Sequence, residues 1–453
     1  MLPLVVLVLS MVLVIALIAV GRVHAFLALV LGALFVGIAA PAVPWGDTAT
    51  VVAGEFGSVA GRIGLVIAFA SIIGMALQRS GGASRISEAF LSLTGERRAH
   101  MSLWASGYVL SVPVFFDTVF YLLAPIARAM HQRTKHSYGL YLMATFAGAA
   151  ATHVFVPPTP GPLAVAATLG VDLGQMMLVG IAVAIPASLA GIAYALWANV
   201  HLTPLLTPLP LSTAAPEAVE DNPDEPVIRP SLGFAFLPIA LPVVLIGART
   251  ILMALGTTGP FASVMMLIGD PNIALLISAI VALIMVKQAC GWSLRQLGQF
   301  SEDSLGSAGS IILITAAGGA YGGMLTRAGV GNSLAALASD FQLPVMVLAF
   351  GMASLIKVAQ GSSTVAMITT ASILQGIYAA SPAGLPAPVY AALAVSGGSL
   401  VGSWMNDSGF WVVSKMGGLS EADTFKTWTA LAAVVGTTGF LIALLLSVLV
   451  PLT

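Results

Sequence analysis

Four ionisable residues stand where an apolar chain has least reason to hold them: Asp117, His153, Lys357 and Asp407. Each falls in or beside a run of small, turn-forming or proline residues that interrupts a long apolar stretch. An acid or a lysine at membrane depth costs at least about 2.5–3.5 kcal/mol on insertion scales, so it needs a partner or a task. Asp117 and His153 are the candidate proton carriers, because an acid out of water favours its protonated form and imidazole titrates near neutrality. Lys357, the basic residue at a hairpin tip, is suited to pair with a substrate carboxylate. Plainer roles exist as well: a structural ion pair such as Lys357 with Asp407, or a helix cap for His153.

The interruptions come in matched pairs. One reads Ser111-Val112-Pro113-Val114-Phe115-Phe116-Asp117-Thr118, the other Lys357-Val358-Ala359-Gln360-Gly361-Ser362-Ser363-Thr364. Backbone that is not helical at membrane depth leaves N–H and C=O groups free, and it survives only inside protein or against a wet cavity. Free N–H groups at the start of a half-helix attract an anion. Gly361, Ser362, Ser363 and Thr364 suit such a turn, although a kink serving helix packing would use the same residues. The second pair is Thr152 to Pro162, with four prolines within six residues, and Ser403 to Phe410, which holds Asn406, Asp407 and Ser408. Proline removes a donor and clashes with the preceding turn, while Asn, Asp and Ser compete for backbone partners. Pro158, Thr159 and Gly161 join Asn406, Asp407 and Ser408 as candidate substrate contacts. The bland alternative, two loops outside the membrane, leaves the flanking apolar runs unexplained.

The elements that must position these residues follow from composition. The 453 residues are 58% apolar and 8% charged, with mean hydropathy +1.01, whereas a soluble chain carries about 25% charged residues. Apolar runs at 2–20, 25–43, 65–77, 176–197, 234–255, 273–286 and 430–450 read as spans or parts of spans. The first is expected to be a retained helix and not a signal peptide, having no basic flank. The stretch 201–230, with seven prolines and five acids, reads as a solvated linker. It divides the chain into repeats 1–200 and 231–453. One offset of 248 residues lays Gly74-Met75-Ala76-Leu77-Gln78-Arg79-Ser80-Gly81 on Gly322-Gly323-Met324-Leu325-Thr326-Arg327-Ala328-Gly329, Gly161 on Gly409 and Gly170 on Gly418. Duplicated apolar halves broken at matching places point to a secondary transporter.

Loop charge sets the expected path. If 103–130 enters and returns as a hairpin while 141–171 crosses once as a broken helix, each half crosses five times and the copies are inverted. The second copy places its hairpin at 344–378 and its broken helix at 388–418. Thirteen of the seventeen Lys and Arg then share one side, including Arg79, Arg85, Arg97, Arg98, Arg128, Arg133 and Lys135. The positive-inside bias favours this path, with both termini outside. The predicted fold is therefore an all-α polytopic membrane protein of two inverted-topology repeats, each with a re-entrant hairpin and a broken helix.

Other classes find little support. Net charge is −1, so no basic face awaits nucleic acid. The single cysteine, Cys290, forms no internal disulfide. No Walker-type glycine loop, CxxC pair or HExxH is present, so neither ATP-driven pumping nor such a metal site is expected, and no cofactor is predicted. An intramembrane enzyme using Asp117 and His153 as an acid–base pair would lack a nucleophile and would not need a duplicated scaffold. Arg62 and Arg249 lie close to span ends and read as snorkelling residues. Ser420-Glu421-Ala422-Asp423 reads as a capping box.

At these breaks the chain resembles the gluconate:proton symporter family, within a superfamily of elevator-type ion transporters. The resemblance covers nearly the whole length. It is carried by Gly81-Gly82-Ala83-Ser84-Arg85-Ile86, Phe116-Asp117, Thr152-His153 with Pro157-Pro158-Thr159-Pro160-Gly161-Pro162, Gly269-Asp270-Pro271, Gly361-Ser362-Ser363-Thr364-Val365-Ala366 and Asn406-Asp407-Ser408-Gly409-Phe410-Trp411. It implies proton-coupled uptake of gluconate, a related sugar acid, a glycerate-like or other small hydroxy acid, or D-serine across a bacterial inner membrane, by a homodimer whose hairpin-bearing bundle slides against a scaffold. Asp117 stands where relatives often have Glu, and Lys357 where they have Arg. Thr159 and Trp404 each replace a frequent His, which implies a smaller or less hydroxylated substrate than gluconate. Sodium coupling stays open, since unwound carbonyls with Asn406, Asp407, Ser362 and Ser363 could hold a hard cation.

Overall fold

The computed structural model describes residues 2–40, 44–95, 98–113, 116–134, 138–202, 228–330, 333, 344–380, 385–405 and 407–452. Most of the expected linker 201–230 lies outside them, as does Asn406, and so do the side chains of Asp117 and Ser408. Every regular element among the described residues is helical. The first half runs α1 (Leu2–Ala19), α2 (Ala25–Ala39), α3 (Thr48–Arg79), α4 (Gly82–Thr94), α5 (Ala99–Leu110), α6 (Phe116–Thr134), α7 (Tyr138–Phe155), α8 (Pro160–Leu169) and α9 (Leu173–His201). The second runs α10 (Leu232–Ala254), α11 (Pro260–Ile268), α12 (Pro271–Cys290), α13 (Leu294–Arg327), α14 (Val345–Gln360), α15 (Ser363–Ala380), α16 (Pro388–Gly398), α17 (Ser408–Gly417) and α18 (Glu421–Leu449), the last containing a π-helical segment, Phe425–Thr429.

Seven stretches among the described residues are long and apolar enough to cross a membrane, the α7–α8 pair among them. At 1.5 Å per residue α3 and α13 are each roughly 50 Å long, well beyond the hydrocarbon layer, so they must tilt or project. In the first half α5 ends in a turn at 111–113 before α6 begins at Phe116, and α7 and α8 flank Val156–Thr159. In the second half α14 and α15 are separated only by Gly361 and Ser362.

The offset of 248 extends to helix bounds. Added to Pro160–Leu169 it gives Ser408–Gly417, and added to Leu173–His201 it gives Glu421–Leu449. It also relates helix caps: Gly81 and Gly170, both at φ 71°, correspond to Gly329 at 75° and Gly418 at 64°. Left-handed backbone of this kind favours glycine. Asp172 accepts from the Gln175 N–H at the start of α9, as Ser420 accepts from Asp423 at the start of α18.

Packing puts the broken helices at the centre. In the Tyr138–Leu169 stretch 94% of the most apolar window is buried, against 28% for Leu232–Met253, so α7 and α8 are enclosed while α10 is peripheral. Small residues make this possible, because helices without a water-driven force between them associate by close backbone approach. A Cβ on Gly148 of α7 would strike the Trp104 carbonyl of α5, and one on Gly180 of α9 would strike the Phe155 carbonyl of α7. The second half repeats the arrangement: a Cβ on Gly397 of α16 would come within 2.5 Å of the Gly436 carbonyl of α18, and one on Gly398 would strike the Phe350 carbonyl of α14. Between the halves α3 and α13 run antiparallel, tied by Ser71 Oγ donating to the Ser304 carbonyl at 2.8 Å and by Arg327 on Glu55 at 2.8 Å.

Gly148→Leu should therefore destabilise the fold by about 1–3 kcal/mol through overpacking. Gly54→Ala, at an exposed helical site with nothing within 4 Å, should be neutral or stabilise by up to about 1 kcal/mol. Unfolding curves of the two variants in detergent provide the check.

Candidate functional site

Each candidate residue sits where a helix begins or ends. Thr159 is the N-cap of α8, with Pro160 at the first helical position. Of the four N–H groups that a helix start leaves unbonded, Pro160 and Pro162 have none to offer, which leaves Thr159 and Gly161. Thr159 Oγ1 turns back to the end of α7, donating to the His153 and Val156 carbonyls at 2.8 Å each. Gly161 lies against α15: a Cβ there would run into Met367 and come within 3.9 Å of Thr364 Cα. The first break thus touches the second hairpin within a turn of its tip.

At that tip Gly361 takes φ 88°, which ends α14 and starts α15. Ser362 Oγ accepts from the Val365 N–H at 3.3 Å, capping the new helix. Ser363 Oγ donates to the Ser399 carbonyl at 2.8 Å, where α16 has just unwound. Lys357, one turn before the tip, is sealed in, with 1% of its side chain exposed. Its Nζ donates to the Gly361 carbonyl at 2.6 Å and lies 3.0 Å from Asp407 Oδ2.

Asp407 is the organising group of the second break. Its Oδ1 accepts from the Gly409 N–H at 2.9 Å, which places a negative charge at the start of α17. Its Oδ2 accepts from Ser403 Oγ as well as from Lys357. Ser403 in turn accepts from Trp428 Nε1 at 2.9 Å. The Trp428 ring lies 4.8 Å from that of Phe116 at the tip of the first hairpin and 5.7 Å from Phe146 of α7. One line of contacts therefore joins the two hairpins: Phe116, Trp428, Ser403, Asp407, Lys357, Gly361. His153, at the end of α7, feels the charges of both Lys357 and Asp407. The residue is half-buried, and its Nδ1 is enclosed with no hydrogen-bond partner among the described residues.

The profile describing the GntP family permease matches residues 2–449. The chain belongs to this family. Among relatives, this permease is 34% identical over 432 residues to the inner membrane permease YgbN of Escherichia coli K12, covering 93% of each chain. It is 33% identical to a gluconate permease of Pseudomonas aeruginosa, over 94% of this chain and 93% of that one. It is 30% identical to the low-affinity gluconate transporter of Escherichia coli K12, over 96% of each. Its architecture is similar to the crystal structure of the YdaH transporter of Alcanivorax borkumensis, with TM-score 0.59, 13% identity and 89% and 88% of the two chains covered. It is a multi-pass membrane transporter and not an enzyme.

In the permease the fold brings together Lys357 and Asp407, with His153 within reach of their charges, and joins Gly361, Ser363 and Thr364 to the two breaks by the contacts above. Pro158 lies in the same turn as Thr159, joined to Pro157 by a cis peptide bond. Asn406 lies outside the described residues. Asp117 is in the first turn of α6, next to Phe116, and Ser408 begins α17, but their side chains are not described. Lys357 already holds a carboxylate of the protein, which the sequence offers only as an alternative. Two groups escape the sequence reading altogether. The second break opens at Ser399, one turn before the expected Ser403, where a Gly397-Gly398 pair gave the available signal. Trp428 has no local signal, since what marks it is contact with Ser403 and Phe116, 25 and 312 positions away.

Removing one partner of a buried pair strands the other charge. Lys357→Met should cost about 3–5 kcal/mol of stability, whereas Lys357→Met with Asp407→Leu should recover most of it. The two melting profiles in detergent, compared with that of the unaltered protein, test the pairing.

Proposed function

We propose that this permease takes up a small hydroxylated carboxylate, gluconate or a smaller hydroxy acid, across a bacterial inner membrane, coupled to protons. The observation that carries the reading is the meeting of one buried cation with helix starts in three separate segments. The starts of α8, α15 and α17 are drawn together through Gly161 on Met367 and Lys357 on Asp407. Unbonded N–H groups and the positive ends of helix dipoles favour a carboxylate there. The gluconate permeases among the relatives support the substrate class. Trp404 narrows it: its half-exposed indole donates to the Val358 carbonyl at 2.9 Å, removing an acceptor that a sugar hydroxyl would use.

Substrate sits between the Ser362–Thr364 tip and the two breaks, with Pro158, Thr159, Gly161, Asn406, Asp407 and Ser408 around it. Asp117 and His153 carry protons toward it. The halves are inverted repeats with both termini outside, and the hairpins move as a bundle against a scaffold of the remaining spans in a homodimer. Inverted copies are supported by the 248-residue correspondence of helix bounds and caps, together with the antiparallel run of α3 and α13.

In proteoliposomes, an inward proton gradient should drive accumulation of labelled gluconate or of a smaller acid from a panel of D-glycerate, 3-hydroxybutyrate and D-serine, with no need for sodium. Asp117→Asn should reduce gradient-driven accumulation at least about tenfold. Thermal stabilisation of purified protein by the same panel ranks the ligands. Full accumulation by Asp117→Asn removes that residue from coupling, and uptake that stops without sodium replaces the coupling ion.

A further inference from the structure

The Lys357–Asp407 pair has the form of an anion site that is already filled. An ammonium at 3.0 Å, the Ser403 hydroxyl, the Gly409 N–H at 2.9 Å and the start of α17 together make the donor set that a carboxylate from solution would want. A side chain of the protein occupies it. Lys357 has little room for a second anion, being 1% exposed and also bound to the Gly361 carbonyl.

We propose that the substrate carboxylate and Asp407 compete for Lys357, and that Asp407 takes up a proton as the substrate anion replaces it. The inference rests on the carboxylate reading above and adds to it the residue that makes proton and substrate inseparable. The balance of charge gives the reason. Before binding the enclosed site holds Lys357 as a cation and Asp407 as an anion, and its sum is zero. If an anion entered and Asp407 stayed charged, two negative charges would face one positive charge in a poorly solvated pocket. A buried carboxylate without a counter-ion is costly, and binding a proton removes the charge. One O–H bond forms on Asp407, one ion pair at Lys357 breaks and another forms. The site sum returns to zero, with one proton gained for each anion.

The surroundings of Asp407 allow this exchange. Among the described residues, the groups that face it are Lys357 from α14, Ser403 from its own break and the Gly409 N–H from α17. Trp428 of α18 donates to Ser403, and His153 of α7 lies within range of both charges. His153 has an enclosed Nδ1 that meets no partner among the described residues, so it is the adjacent group able to hand a proton on. Lys357 offers the only cationic side chain among these groups, so the anion that leaves it has no second lysine or arginine in this set.

The test counts protons. Purified protein in weakly buffered detergent solution, with a pH indicator, is titrated with the panel anion that stabilises it most. Close to one proton should be taken up per anion bound, and the apparent Kd should rise by about tenfold per pH unit while the linkage operates. Asp407→Asn should take up no proton on binding and show a Kd that does not vary with pH. Saturable binding by the unaltered protein without proton uptake overturns the exchange, and that measurement needs no variant to fold. A wild-type pH slope retained in Asp407→Asn overturns it as well. If gradient-driven uptake persists in either case, the carboxylate reading stands and only the exchange fails. If no panel anion binds, the carboxylate reading fails and the exchange fails with it.

Discussion

An ammonium group with almost no solvent contact needs a carboxylate beside it, and in this permease that need shapes the surrounding backbone. Lys357 stands at the end of α14 and Asp407 at the start of α17, on two segments that are both interrupted where they meet. Continuous helices would carry the two residues past one another. Asp407 in turn caps α17 through the Gly409 N–H, so one carboxylate neutralises a charge and ends an unwound stretch. Ser403 holds that carboxylate, Trp428 holds Ser403, and Trp428 is presented by a π-helical segment in α18. Local π-helical turns often occur at functional sites, where they redirect a side chain. Charge neutralisation, backbone satisfaction and helix register are thus settled by one group of contacts.

The interruptions are affordable because their surroundings are built from small residues. α7 lies between α5 and α9 with backbones almost touching at Gly148 and Gly180, and α16 lies between α14 and α18 at Gly397 and Gly398. Such packing excludes lipid from unbonded carbonyl and N–H groups, the condition for non-helical backbone inside a membrane. Pressing α13 against α15 uses the same device: Ser372 of α15 donates to the Gly318 carbonyl, and no side chain at Gly322 could coexist with it.

Much of this was legible in the order of residues. Prolines at 157, 158, 160 and 162 mark a break in the helix, and Gly361 followed by three hydroxyl residues marks a turn. A single offset matches the halves in sequence, and it also relates Leu173–His201 to Glu421–Leu449. What stayed hidden depended on distance along the chain. Whether Lys357 meets substrate or Asp407 is decided by how two breaks dock, 50 residues apart, and no local pattern encodes it. Nor does local pattern reveal that Trp428 would reach the first hairpin, because aromatic residues in a last span are ordinary. The early unwinding at Ser399 has only Gly397-Gly398 to mark it, after an alanine-rich run, 391–394, that reads as helix.

The seam between Gly161 and Met367 has a mechanical meaning. A bare glycine faces the end of an unbranched thioether that is itself fully buried. Methionine has three rotatable bonds and a polarisable sulfur, so it re-forms its packing across a range of shapes where a branched side chain would lock. The joint between the proline-rich bend and the second hairpin is therefore compliant by construction. It can yield by a small displacement and stay sealed.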